Sequence, residues 1–123
     1  MENKKIVIVE DETSIVEALN VRLLAEGFEL ISASNGKVGL ELIREEKPAL
    51  AILDLMMPEM DGYEVLAKLK ASEETKSIPV IILSNVDDED SKKRVFEDGA
   101  ARFVIKTSID LEDFVKTIHS YVD

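Results

Sequence analysis

A chain of 123 residues is long enough for one hydrophobic core and too short for two ordinary domains. Hydrophobic residues at 46% and charged residues at 33% mark a globular domain, and the lack of cysteine excludes disulfides, thiolate catalysis and thiolate metal sites. Lys and Arg number 15 against 26 Asp and Glu, and the formal net charge of −11 disfavours nucleic acid and anionic membrane surfaces and leaves proteins or cations as partners. The apolar runs are strand-length and too short to cross a bilayer, and no signal-peptide core opens the chain, so a cytoplasmic address is expected.

Residues 4 to 10 form a β-branched run that ends in acid, with Glu10 and Asp11 at its carboxyl end, which predicts a buried parallel strand. Ser14 with Glu17 has the form of a capping box, and Ile15, Val16, Leu19 and Leu23 supply an apolar stripe up to Gly27, a C-terminal cap. Phe28 to Ala33 reads as a second strand. Asn35-Gly36 opens a helix carrying Leu40 and Ile43 that must end before Pro48. Leu50 to Asp54 is a third strand, fully apolar until its terminal carboxylate, and Pro58 and Asp61-Gly62 break the chain after it. Asp61 and Glu64 cap a helix through Val65, Leu66 and Leu69, and Ser72 to Ser77 is a polar connector. Pro79 to Leu83 is a fourth apolar run, ended by Ser84-Asn85. The acids Asp87, Asp88, Glu89 and Asp90 precede Lys92, Lys93 and Arg94, an order that complements a helix dipole and needs no other explanation. Gly99 ends that helix, Ala101 to Ile105 is a fifth strand followed by Lys106, and Leu111, Phe114, Val115, Ile118 and Val122 stripe a closing helix.

Five strand–helix pairs with apolar strands and one-sided helices imply an α/β fold, a doubly wound parallel sheet covered on both faces, in one domain spanning residues 1–123. Such sheets bind ligands beyond the carboxyl ends of their strands. To that edge the first strand brings Glu10 and Asp11, the third Asp54, the fourth Ser84 and the fifth Lys106. Taken alone, Asp54 is most simply a turn or cap residue. Three carboxylates at one edge repel each other unless a cation neutralises them, and an all-oxygen set without cysteine or a nearby histidine suits magnesium. A carboxylate nucleophile, a divalent metal, a lysine and a hydroxyl are the parts of phosphoryl transfer, with an aspartyl phosphate as product.

With Glu10-Asp11 after the first strand, Asp54-Leu-Met-Met-Pro58 with Asp61-Gly62, Ser84 after the fourth strand and Lys106 after the fifth, the chain resembles the receiver domain of two-component response regulators. The resemblance covers essentially the whole chain and implies strand order 2-1-3-4-5 with five flanking helices, the flavodoxin-like arrangement. It implies that Asp54 accepts phosphate from a histidine kinase or histidine phosphotransfer protein. It further implies that Asp11, Asp54 and the Met56 carbonyl hold Mg2+, that Glu10 acts mostly through metal-bound water, and that Ser84 and Lys106 grip the phosphoryl oxygens. By the same resemblance Ser84 and Phe103 form a switch that rearranges the face of the fourth helix, fifth strand and fifth helix for a downstream protein or output domain, with a phosphorylation-dependent dimer among the outcomes. Phe103 serves equally well as plain core.

Three positions depart from the family pattern. Glu10 replaces the commoner Asp, Asn85 stands where a small residue is usual, and Thr107 replaces the proline after the lysine, so that the Lys106–Thr107 bond is expected to be either trans with a reshaped loop or strained. Two rival readings follow: a degenerate receiver that works as a scaffold without phosphate, and a small Mg2+-dependent phosphohydrolase, which would want an acid where Met56 stands. The expected role is a switch and not an enzyme. His119 is expected at the solvated surface, the Met56, Met57 and Met60 cluster in loop and core packing, and Gly36-Lys37-Val38-Gly39 lacks the glycine spacing of a phosphate loop.

Overall fold

Apolar runs that alternate sides of a pleat become strands, and one-sided stripes between them become helices. The computed structural model describes residues 3–85 and 87–122. In chain order the elements are β1 (Lys5–Val9), α1 (Thr13–Ala25), β2 (Glu29–Ala33), α2 (Gly36–Glu46), β3 (Leu50–Asp54), α3 (Gly62–Ala71), β4 (Val80–Ser84), α4 (Glu89–Glu97), β5 (Arg102–Ile105), a single 3₁₀ turn (Lys106–Ser108) and α5 (Leu111–Val122). All pairings are parallel, as the apolar strands predict, and the strand order is β2-β1-β3-β4-β5, as the family resemblance implies.

The strand period of two divides the core into two layers. Val7, Val9, Ala51, Leu53, Val80 and Ile82 face α2, α3 and α4. Ile6, Ile8, Leu50, Ile52, Ile81 and Leu83 face α1 and α5. Coverage on both sides explains why β3 and β4 are buried at every position. Each such aliphatic side chain contributes about 1.5–3 kcal/mol of burial. Of the five helices α4 is the least anchored, with Val95 as its one buried residue.

The helix ends follow local chemistry. The Asn35 side chain accepts from the Val38 amide and that of Asp61 from the Glu64 amide, so the predicted starts of α2 and α3 hold. The acids before α4 likewise include its cap, Asp88. Gly27 and Gly99 have φ of +89° and +106°, the left-handed conformation that ends α1 and α4 where the sequence predicts a glycine stop. The capping box expected at Ser14 and Glu17 does not form. α1 begins at Thr13, two residues earlier than a Ser14 cap would start it, with Glu12 as its cap position and no side-chain cap bond, which puts Ser14 inside the first turn. The strand limits differ from expectation by one residue: β1 stops at Val9, β2 starts at Glu29, β4 runs from Val80 through Ser84, and β5 starts at Arg102. For β4 the reason is Pro79, which has no amide to donate to the ladder and offers only its carbonyl, to Ala51.

Candidate functional site

Register collects the site. Val9 pairs with Leu53, Asp54 with Leu83, and Ser84 with Ile105, so Glu10, Asp54, Ser84 and Lys106 end neighbouring strands at one edge of the sheet. All four are buried, with exposures of 3%, 4%, 1% and 8%. Asp11 is exposed at the mouth.

Lys106 is the hub. Its Nζ donates to Asp54 Oδ2 at 3.1 Å and to Glu10 Oε2 at 2.9 Å, and it lies 2.8 Å from Glu10 Oε1 and 3.9 Å from Glu12 Oε1. Burial pushes the Glu10 carboxyl above its ordinary 4.5, against the hydrogen bonds from Lys106 and the Glu12 amide. Burial alone would lower the Lys106 ammonium, but its hydrogen bonds to Glu10 and Asp54 and their charges outweigh that and raise it above 10.5. The ammonium is therefore held charged between two acids, an arrangement whose desolvation cost requires good geometry on every partner.

The cluster is short of positive charge. One oxygen each from Glu10, Asp11 and Asp54 lies within 4.8 Å of the others. Glu10 Oε1 is buried and accepts no hydrogen bond, although the Lys106 ammonium is beside it. Three carboxylates against one ammonium, all oxygen donors and an under-satisfied buried oxygen fit a small hard divalent cation, so the donor set accommodates Mg2+.

The segment after β3 is tightly folded. Met56 donates its amide to Asp54 Oδ1 at 3.4 Å while its side chain is 71% exposed, so whatever it offers the site comes from its backbone. Met57 and Met60 pack on the core, as expected. The Met60 amide donates to the Pro58 carbonyl at 2.8 Å across Glu59, whose φ is +73°, a strained three-residue turn. Sequence reasoning found Pro58 and Asp61-Gly62 but not this turn, because no glycine or asparagine marks it. Gly62 is required by close approach: a Cβ there would collide with the Asp54 carbonyl.

The other predicted residues fall as follows. Asn85 is exposed directly after Ser84. The Lys106–Thr107 bond is trans, and Lys106 to Ser108 make the 3₁₀ turn, closed by the Ile109 amide on the Lys106 carbonyl at 3.3 Å. A reshaped loop thus replaces the strained alternative. Phe103 lies three residues before Lys106, half-buried against the layer of α2, α3 and α4 and outside the carboxylate cluster. His119 is not simply solvated: at the opposite end of the sheet its Nε2 lies 2.8 Å from Glu26 Oε1 and its ring packs on Phe28 with centroids 5.0 Å apart. Gly36 sits against the Met60 carbonyl, so the Gly36–Gly39 stretch is packing. Glu12 was given no role by the sequence reading, yet its amide donates to Glu10 Oε2 at 3.0 Å; the acidic run Glu10-Asp11-Glu12 was its only signal.

This fold and edge match a known family. The family described as the response regulator receiver domain matches residues 6–119. The chain belongs to that family. The receiver is 34% identical over its full length to a probable transcriptional regulator, ycf27, of Porphyridium aerugineum. It spans 51% of that relative, about half the length of the curated proteins it matches. Among solved structures it resembles the phosphorylated cyanobacterial phytochrome response regulator RcpA, at 27% identity and a TM-score of 0.84 over 98% of this chain and 94% of that one. It also resembles the Mn2+-bound form of response regulator Rcp1, at 29% identity and a TM-score of 0.80 over 95% and 90%. No helix among the described residues is long and apolar enough to cross a membrane.

Proposed function

We propose that this receiver is a phospho-accepting switch in which Asp54 takes a phosphoryl group from a histidine kinase or histidine phosphotransfer protein. The observation that carries the reading is the buried Asp54 carboxylate, hydrogen-bonded to Lys106 and grouped with Glu10 and Asp11. An Asp54 oxygen attacks phosphorus in line, the P–N bond to the donor imidazole breaks, and an acyl phosphate forms. Lys106 is already at Asp54 and takes up an incoming phosphoryl oxygen; the Ser84 hydroxyl donates to another. Glu10, Asp11, Asp54 and the Met56 carbonyl would hold Mg2+, which when bound supplies positive charge to the phosphoryl oxygens. Likeness to a phosphorylated and to a Mn2+-bound regulator supports both parts.

Phosphorylation shifts a pre-existing equilibrium in which Ser84 moves toward the phosphoryl group, Phe103 turns inward, and the face of α4, β5 and α5 changes for a downstream protein partner or output domain. The acidic chain acts in the cytoplasm through protein partners, with dimerisation as one outcome, and not by touching nucleic acid or membrane itself. The test is intact mass after incubation with a small-molecule phosphodonor, with and without magnesium, on wild type and Asp54→Asn. One phosphoryl adduct that needs both magnesium and Asp54 is expected. No adduct under any condition would favour a phosphate-independent scaffold, and steady turnover of a phosphate ester would favour a phosphohydrolase, against which Met56 stands in the general-acid position.

A further inference from the structure

The charged residues at the start of α4 do more than complement its dipole. The Lys92 ammonium lies 2.8 Å from Asp87 Oδ1 and 3.6 Å from Glu89 Oε1. The same ammonium stands over the Phe103 ring, 5.8 Å from its centroid. One side chain on α4 thus touches both the segment leading out of β4 and the aromatic of β5. The Asp87 hydrogen bond also holds the Lys92 ammonium above its ordinary 10.5. On the same helix the Arg94 guanidinium lies 3.8 Å from the centroid of the Tyr63 ring of α3, and Val95 shares the core layer against which Phe103 packs. Val95 is the one buried residue of α4, and these lateral contacts add to its seating.

We propose that Lys92 is a positioning residue of the switch: paired with Asp87 and standing over Phe103, it links displacement of the segment after β4 to release of the Phe103 ring. The inference rests on the phospho-acceptor reading. Asp87 lies three residues beyond Ser84, so movement of Ser84 toward a phosphoryl group draws Asp87 with it. Lys92 then follows its carboxylate away from the ring, and Phe103 loses the cation that favoured its half-buried, ring-covered placement. Conversely, a cation kept over Phe103 holds Asp87, and through it Ser84, in the resting position, because coupling between two positions acts in both directions.

The experiment uses the whole chain labelled with 4-fluorophenylalanine. Its four phenylalanines give four 19F resonances, and Phe103 is assigned by its loss in Phe103→Tyr. Spectra are recorded with and without acetyl phosphate and magnesium, alongside intact mass. In unphosphorylated Lys92→Met, which keeps the stem and loses the charge, the Phe103 resonance is expected to move toward its position in phosphorylated wild type. Asp87→Asn is expected to move it in the same direction and Lys92→Arg to leave it in place. A Phe103 resonance unmoved in Lys92→Met would overturn the contact, and one that moves in Lys92→Met but not in Asp87→Asn would overturn the link. Wild type that gains no phosphoryl mass would sink the phospho-acceptor reading itself, whereas a wild-type adduct that moves the Phe103 resonance, with that resonance unmoved in unphosphorylated Lys92→Met, would sink only this relay.

Discussion

Glu10 carries one methylene more than the aspartate common at its position, and the extra reach is spent on Lys106. Both of its oxygens lie within 3 Å of that ammonium, at 2.8 and 2.9 Å. The resemblance cast Glu10 mainly as an outer ligand of the metal. The geometry adds a task that residue type does not reveal, holding the lysine against Asp54. It also gives a pH dependence. Burial raises the folded pKa of Glu10 above 4.5, so the penalty is absent where both folded and unfolded chains are protonated. It grows as the unfolded chain ionises and is complete once pH has passed the folded value. In chelator, Glu10→Gln is therefore expected to gain on wild type in urea midpoint as pH rises from about 4 to about 7. A difference between the two proteins that stays constant over that range would count against the shift.

The elements themselves were easy to see. Strands covered on both faces are almost uninterrupted Val, Ile and Leu, and the helices between them show one apolar stripe each. What sequence could not show is what depends on contacts across the sheet. Ser14 has the residues of a capping box, but the start of α1 is displaced because the chain turns where Glu10 takes the Glu12 amide, and Glu10 is itself held by a lysine 96 residues away. Glu59 adopts a positive φ with nothing in its side chain to announce it. These differences predict unequal caps. Asn35→Ala and Asp61→Ala each remove an amide's acceptor and are expected to lower stability by about 1 kcal/mol in urea titration. Ser14→Ala, which removes no cap, is expected to stay within about 0.5 kcal/mol of wild type. Equal losses at all three positions would mean that Ser14 caps α1 after all.

At the scale of the whole chain, a net charge of −11 makes compaction work against self-repulsion, so a screening salt such as sodium chloride is expected to raise the thermal midpoint. Magnesium should add to this through the three-carboxylate cluster. At free magnesium ten times its dissociation constant the gain is about 1.4 kcal/mol, measured against sodium chloride of equal ionic strength. Asp54→Asn should lose most of that excess; a full excess in the variant would remove Asp54 from the metal set. The charge total was visible in the composition, and the grouping of Glu10, Asp11 and Asp54 at one edge followed from their places at strand ends.

The ion pair that organises this edge joins residue 10 to residue 106, the first strand to the last. On the ribosome the acids of β1 and β3 emerge long before their lysine. A growing chain therefore holds mutually repelling carboxylates without their organic cation, and it can close the Glu10–Lys106–Asp54 cluster only after β5 has been made. Under the proposed phospho-acceptor role, a receiver that still lacks β5 is expected to take up no phosphate.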